Sequence, residues 1–126
     1  LLAQTAVVVA AGAMGIWLFY VQHQFNPSYW ARDDEWDRYA AAMKGSSHYK
    51  LPPPLRWLSA DIGVHDLHHL QPRIPNYRLR AAYEQVPDEY RSEPLTLRSS
   101  LKSIHYNLWN EALGRFVSFR AARALR

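Results

Sequence analysis

The sequence contains no cysteine among its 126 residues. This absence excludes disulfides, thiolate zinc sites, iron–sulfur clusters and a cysteine nucleophile. The sequence also lacks a glycine-rich phosphate loop, a nucleotide-binding fingerprint and a G-x-S-x-G motif. Histidine, of which there are six, is therefore the side chain best suited to bind a transition metal.

Charged residues are absent from the first 22 positions. The 21 residues Leu1 to Val21, at about 1.5 Å per residue, are enough to cross the roughly 30 Å of hydrocarbon in a bilayer. Trp17 and Tyr20 lie near the end of this run, where an aromatic belt is usual. We predict a transmembrane helix at residues 1–22, the alternative being a buried helix of a soluble protein.

The chain begins at Leu1, inside the apolar run, with no positively charged segment before it and no cleavage site after it. It does not resemble a signal peptide. We expect the chain to be the C-terminal piece of a longer protein.

The C-terminal region is basic, with six cationic residues from Arg98 to Arg126 against a single acidic one, Glu111. No nucleic-acid-binding module is recognisable, so we expect no nucleic acid partner. Beside a membrane segment, this charge favours the cytoplasmic side and anionic headgroups. Apolar residues recur from Leu95 to about Ala122 at four- and three-residue steps, which predicts a basic amphipathic helix within residues 95–126.

The segment from Val64 to Leu70 carries three histidines: His65, His68 and His69. In a helix, His65 and His69 stand one turn apart on the same face, and His68 is one turn from His65 by the shorter three-residue spacing. His68 and His69 themselves point about 100° apart. They therefore flank a site or face two metal ions, an arrangement that favours a centre with more than one ion. The alternative is a surface cluster, or buried histidines with ordinary hydrogen bonds.

Two further features bear on this site. His23 lies at the mouth of the membrane helix and is predicted to be a fourth ligand, and Asp61 and Asp66 are the nearest carboxylates for the rings' other N–H groups. We assign no ligand role to His48, and we expect His105 to be solvated.

The remaining pattern predicts an all-α fold, in which one transmembrane helix is followed by cytosolic or interfacial amphipathic helices. Residues 23–94 form the predicted metal-ligand region. It comprises a helix within 30–45, a proline-rich link, a helix over 55–70 carrying the histidines, a second proline link, and a helix over 77–85 capped by Asn76.

Several stretches resemble the C-terminal third of the membrane-bound, histidine-box fatty acid desaturases, and the bacterial acyl-lipid branch related to the omega-6 (delta-12) enzymes in particular. Residues 17–25 resemble the end of the last membrane helix in that branch. Residues 63–70, followed by Pro72-Arg73-Ile74-Pro75-Asn76-Tyr77, resemble the third histidine box and its proline link. Residues 95–109 resemble the C-terminal helix. Two upstream boxes of the family are not in this chain, as expected of a fragment.

The resemblance implies an oxidoreductase that introduces a double bond into an acyl chain with two iron ions and O2. His23, His65, His68 and His69 would be metal ligands, with no catalytic residue beyond them. The implied partners are an acyl-lipid or acyl thioester substrate, a ferredoxin or cytochrome-type electron donor, and the lipid bilayer. The implied location is a membrane, the bacterial inner membrane, with the metal site on the cytoplasmic side; the fragment alone is expected to be inactive.

Two alternatives stay open from the sequence. One is a related membrane di-iron hydroxylase or ketolase built on the same scaffold. The other is a membrane-anchored metal-binding module without catalysis, in which His65, His68 and His69 would diverge in space.

Overall fold

The computed structural model describes residues 1–125, and for Glu89 it describes only the backbone. Arg126, the last residue of the predicted C-terminal region, lies outside the described residues. The helices are α1 (Leu2–His23), α2 (Arg38–Gly45), α3 (Pro53–Leu58), α4 (His65–Leu70), α5 (Asn76–Tyr83), α6 (Leu97–Ser100) and α7 (Phe119–Ala124). Shorter 3₁₀ turns span Asp33–Glu35, Asp88–Tyr90 and Leu101–His105. The protein is thus mostly helical, as predicted.

The α1 helix agrees with the sequence prediction. Its 22 residues are long and apolar enough to cross a membrane by length and composition, and its most apolar 18-residue window is not buried at all. Within residues 1–125, α1 contacts the other elements through its last turns, where Val21 and Gln22 are buried. The helix therefore projects an exposed apolar surface and meets the other elements at its C-terminal end.

The prediction of an all-α fold is wrong in one respect, because the structure contains short strands. Strand β1 (Tyr49–Lys50) pairs in parallel with β2 (Leu95–Thr96), and β3 (Leu108–Asn110) pairs antiparallel with β4 (Arg115–Val117). The β1–β2 pair joins two segments far apart in sequence, which local helical periodicity does not reveal. It holds the C-terminal region beside the end of α1.

The predicted helix over 55–70 is two helices in the structure. Pro53 and Pro54 begin α3, and the chain then turns at Ala60 and Asp61, whose φ angles are +53° and +57°. Residues in the left-handed region cannot continue a right-handed helix, so α4 begins anew at His65. The histidines keep the helical spacing on which the metal-site prediction depends.

The predicted continuous helix from Leu95 to about Ala122 is also wrong. A capping box between Thr96 and Ser99 begins α6, but the chain leaves the helix after the following 3₁₀ turn and forms the β3–β4 hairpin. The side chain of Asn26 explains part of this, because it accepts the Phe116 N–H and donates to the Phe116 carbonyl, both at 2.9 Å. These long-range bonds favour an extended backbone where the apolar pattern alone favours a helix.

Smaller differences concern the helix ends. In the predicted helix within 30–45, residues 33–35 form a separate 3₁₀ turn, and α2 begins after Asp37, whose carboxylate accepts the Ala40 N–H at 2.7 Å. Asn76 is the first residue of α5 and Pro75 is its N-cap, so the predicted side-chain cap is absent there. None of these shifts moves the histidines.

Two apolar clusters position the elements around the histidines. Val21 of α1 packs with Tyr49 and Leu51 around β1, joined by Trp17 and Leu18. Leu67 of α4 packs with Val64 and with Leu79 of α5, a cluster that Ile74 and Tyr83 extend. Because the first cluster fixes the end of α1 and the second fixes α4, the two histidine-bearing elements meet at a defined place.

Candidate metal centre

The start of α4 is set by a close backbone contact at Gly63. Tyr49 of β1 donates its N–H to the Gly63 carbonyl at 2.6 Å, and a Cβ at Gly63 would clash with the Tyr49 carbonyl oxygen. Only glycine lets the two backbones approach this closely. The contact anchors the turn from which His65 enters α4.

The end of α1 is tied to the same turn by Gln22, a side chain whose role the sequence did not suggest. Gln22 is 1% exposed, and its amide donates to the Ile62 carbonyl at 2.7 Å, while its backbone carbonyl accepts the Ser47 N–H at 3.0 Å. A polar residue directly after an apolar run was the available signal. These bonds fix the position of the neighbouring His23 relative to α4.

Three imidazoles converge between α1 and α4. The Nε2 atom of His65 lies 3.1 Å from Nε2 of His23 and 3.0 Å from Nε2 of His69. The ligand atoms of all three rings lie within 4.8 Å of one another. The predicted pairing of His65 and His69 across one helical turn is thus confirmed, and His23 joins them from a residue 42 positions away.

His68 lies apart from this group. Its ring centroid is 5.8 Å from that of His65 and 6.1 Å from that of His69, and the ring is half-buried. Adjacent helix positions point in different directions, so His68 faces the side of α4 rather than the common focus. The structure brings three of the four predicted ligands together, and the ligand role of His68 stays a prediction.

The electrostatics of the group favour neutral imidazoles. Burial is the main cause that lowers the pKa of His65, and the neighbouring rings of His69, His23 and His68 contribute because protonated rings repel one another; together they bring it to about 3. Burial also lowers the pKa of His69. At neutral pH these rings keep a nitrogen lone pair, the form in which histidine binds metals.

The geometry fits a metal cation better than hydrogen bonds alone. A neutral imidazole Nε2 carries either one hydrogen or one lone pair, so the His65 Nε2 cannot make full hydrogen bonds to both neighbouring nitrogens. A cation between the rings would accept all three lone pairs. Imidazole nitrogen is a usual ligand of iron, copper and zinc, so the donor set fits the iron that the family resemblance implies.

The polar groups around the rings differ from the sequence expectation. Asp61 pairs with Arg56, with a carboxylate oxygen 3.1 Å from Nε, and Asp66 accepts the Leu67 N–H at 2.9 Å. Among the described residues, neither carboxylate is hydrogen-bonded to an imidazole.

The other two histidines lie outside the group, as the sequence indicated. His48 stacks on Tyr83 with ring centroids 4.3 Å apart, and its backbone pairs with Val64. Burial lowers the pKa of His48 to about 4, with a further contribution from the positive charges of Lys50 and Arg91. His48 therefore supports the segment that precedes α4, whereas His105 is exposed.

Most of the chain is similar to known proteins of one family. The sequence profile of the family described as "Fatty acid desaturase" matches residues 2–100. A fatty acid desaturase from Bacillus subtilis is 46% identical over 123 residues, which cover 98% of this chain and 35% of that protein. The chain therefore spans about a third of the length of this relative. No solved structure matches.

More distant relatives match a shorter segment. A chloroplastic omega-6 fatty acid desaturase from Arabidopsis thaliana is 42% identical over 57 residues, covering 45% of this chain and 13% of that protein. An sn-1 oleoyl-lipid 12-desaturase from Picosynechococcus is 37% identical over 57 residues, covering 45% of this chain and 16% of that protein. These matches confirm the resemblance drawn from the histidine box and its flanking segments.

Proposed function

The chain belongs to the fatty acid desaturase family, and from this premise we propose that it is the C-terminal part of a membrane enzyme that introduces a double bond into an acyl chain by O2-dependent di-iron chemistry. The observation that supports this proposal most is the convergence of the His23, His65 and His69 Nε2 atoms where α1 meets α4. An apolar helix and a metal-ligand group meeting at one point suit a substrate that enters from a bilayer.

We assign His23, His65 and His69 as ligands of one iron ion, and His68 as a ligand of the second. The remaining ligands would come from the part of the protein that this chain does not include. His69 and the partly exposed His68 and His23 have accessible edges, while His65 is buried. The group is therefore accessible to ligands from outside this chain.

Bound iron supplies the oxidising power, drawn from O2, that breaking unactivated C–H bonds requires and that side-chain acid–base chemistry lacks. The residues of this chain hold and shield that site. His65, Asp66 and Leu67 are buried, so the inner side of α4 excludes water. No acid, base or nucleophile is assigned among the side chains.

The proposed substrate is an acyl-lipid or acyl thioester in the bilayer, and the name of the cyanobacterial relative, an oleoyl-lipid desaturase, favours an acyl-lipid. Forming one double bond supplies two of the four electrons that reduce O2 to water. A donor must supply the other two, and we propose a ferredoxin or cytochrome-type protein. The basic C-terminal region supports a location in the bacterial inner membrane with the site on the cytoplasmic side.

Product analysis tests the proposed reaction. The full-length protein would be expressed in a bacterial host and the membrane acyl chains analysed by mass spectrometry. We expect chains two hydrogens lighter than their precursors with the wild type and with His105→Ala, an exposed control, and none with His65→Ala. A product one oxygen heavier would instead establish the hydroxylase alternative, and iron binding without any acyl product would establish the non-catalytic module.

The role of His68 needs its own test. If it binds the second iron, His68→Ala in the full-length protein lowers the iron content, while His105→Ala leaves it at the wild-type level. Unchanged iron in His68→Ala would remove His68 from the ligand set without affecting the other three assignments.

A further inference from the structure

Exposed apolar side chains lie on the three elements that meet the last turns of α1. We call them the apolar rim: Leu55 and Leu58 on α3, Leu97 on α6, and Leu101 and Ile104 on the 3₁₀ turn that follows. All five are between 37% and 58% exposed. Leu97, Leu101 and Ile104 follow one another at four- and three-residue steps, and residues three apart eclipse in a 3₁₀ turn. The sequence periodicity thus marked a real apolar face, although the helix it predicted is broken.

The apolar rim is anchored to the last turns of α1. Met14, Trp17 and Leu18 of α1 share a small groove of about 80 Å³ with Leu55 and Leu97. The Tyr20 hydroxyl donates to the Ser103 carbonyl at 2.9 Å, which fixes the 3₁₀ turn at the same level. The rim is therefore held beside the aromatic residues of α1, rather than beyond the helix end.

If α1 spans a bilayer, as the proposed function requires, the position of the apolar rim along α1 determines its depth in the membrane. Trp and Tyr side chains near the end of a membrane helix lie at the boundary between headgroups and acyl chains. Elements held beside Trp17 and Tyr20 must then lie at that boundary too. An exposed apolar face at that depth would contact lipid instead of water, which removes the cost of its exposure.

The charges beside the rim complement a lipid surface. Arg98 and Lys102 are exposed on the same two elements, and no acidic residue occurs from Leu95 to Ile104. Cations flanking an apolar face are typical of segments that lie in the plane of the interface, where they contact anionic headgroups.

We propose that the apolar rim is a lipid-contacting surface that seats α3, α6 and the following 3₁₀ turn in the cytoplasmic interface of the bilayer beside α1. The occupant of the rim is lipid, and not another segment of the protein. This surface fixes the height of α4 above the membrane, because β1 and Gly63 join α3 and α1 to the start of α4. The proposal rests on the membrane placement of α1.

Fluorescent labels at single cysteines test this surface. This chain contains no cysteine, so Leu58→Cys and Leu101→Cys would be made in the full-length protein after replacing any cysteine elsewhere, and labelled with nitrobenzoxadiazole. The protein would be placed in vesicles of phosphatidylcholine and phosphatidylglycerol. We expect lipid carrying a nitroxide near the acyl carbonyl to quench most of the emission, and aqueous iodide to quench little.

Two control sites make the outcomes distinct. Leu113→Cys, at a similarly exposed leucine in the β3–β4 turn, should be quenched by iodide and not by lipid. Val8→Cys, in the middle of α1, should be quenched by deep lipid nitroxides. Iodide quenching at 58 and 101 while Val8→Cys reports lipid would overturn the proposal, and so would protection from both quenchers, which would mean that protein covers the rim. Iodide quenching at Val8→Cys would instead overturn the membrane placement of α1.

Discussion

At the residue scale, His65 is the centre of the histidine group because its Nε2 faces both His23 and His69. The helical spacing of His65 and His69 was readable from the sequence, since residues four apart share a helix face. The separate position of His68 did not follow from that spacing, because residues three apart, such as His65 and His68, are also neighbours on a helix. The hydrogen bond between Gln22 and Ile62 could not be predicted from the sequence, because it joins residues that only the fold brings together.

Gly63 is a position at which the structure tolerates only glycine. We expect Gly63→Ala to lower the free energy of unfolding by about 1–3 kcal/mol, because the new Cβ meets the rigid backbone of Tyr49. Thermal unfolding of the purified full-length protein measures the change. Gly12→Ala is the control, since a Cβ there has no atom within 4 Å. Equal melting temperatures for the two variants would contradict the close approach of β1.

His48 makes stability depend on pH. Its folded pKa of about 4 lies below the ordinary value of 6.5, so the folded state binds fewer protons than the unfolded state between these values. The free energy of unfolding should therefore fall as the pH drops through this window, by up to about 3 kcal/mol from this group. His48→Phe keeps the stacking on Tyr83 but cannot titrate.

The measurement for His48 is the melting temperature at pH 7 and pH 5 for the wild type and His48→Phe. We expect the variant to lose less stability on acidification than the wild type, since other groups titrate equally in both proteins. An identical loss in both would show that His48 is not held neutral by the fold.

At the scale of elements, secondary structure was predicted correctly from the sequence where one local pattern dominates. The charge-free run predicted α1, and the histidine segment was correctly predicted to be helical, although α4 is shorter than the predicted helix. The pattern failed where distant contacts override it: Asn26 binds the backbone of Phe116 and holds an extended hairpin in a segment with helical periodicity. It also failed at Ala60 and Asp61, because neither residue type signals a left-handed backbone as glycine does.

The turn between α3 and α4 carries backbone strain that a substitution can relieve. Ala60 has a φ of +53°, where an L-residue costs roughly 1–2 kcal/mol. We expect Ala60→Gly to raise the melting temperature of the full-length protein. The matched control is Ala81→Gly in the interior of α5, which should lower it because glycine weakens helices by about 1 kcal/mol. Destabilisation by both substitutions would argue against a left-handed turn at Ala60.

At the scale of the whole molecule, the chain spans about a third of the length of its Bacillus relative, covering 35% of that protein. Under the proposed di-iron function, its three converging imidazoles would be too few to hold two iron ions, and the remaining ligands would have to come from outside residues 1–126. The apolar surface of α1 is exposed along most of its length, as expected of a helix that contacts lipid and other membrane helices.

The isolated chain should therefore be inactive. We expect residues 1–126, expressed alone in membranes, to form no unsaturated acyl chains, while coexpression with the remaining part of the protein restores them. Mass spectrometry of the membrane lipids measures unsaturated acyl chains in both experiments. As a control, coexpression with the His65→Ala chain should not restore them. Desaturation by the isolated chain would show that its own histidines are sufficient.

The iron content of the full-length protein tests the central assignment most directly. Iron per polypeptide would be measured for the wild type, His65→Ala and His105→Ala, with helical content compared by circular dichroism. We predict that His65→Ala loses most of the iron bound between α1 and α4 and keeps its helical content, while His105→Ala matches the wild type. Wild-type iron content in His65→Ala would contradict a metal centre at the convergence of His23, His65 and His69.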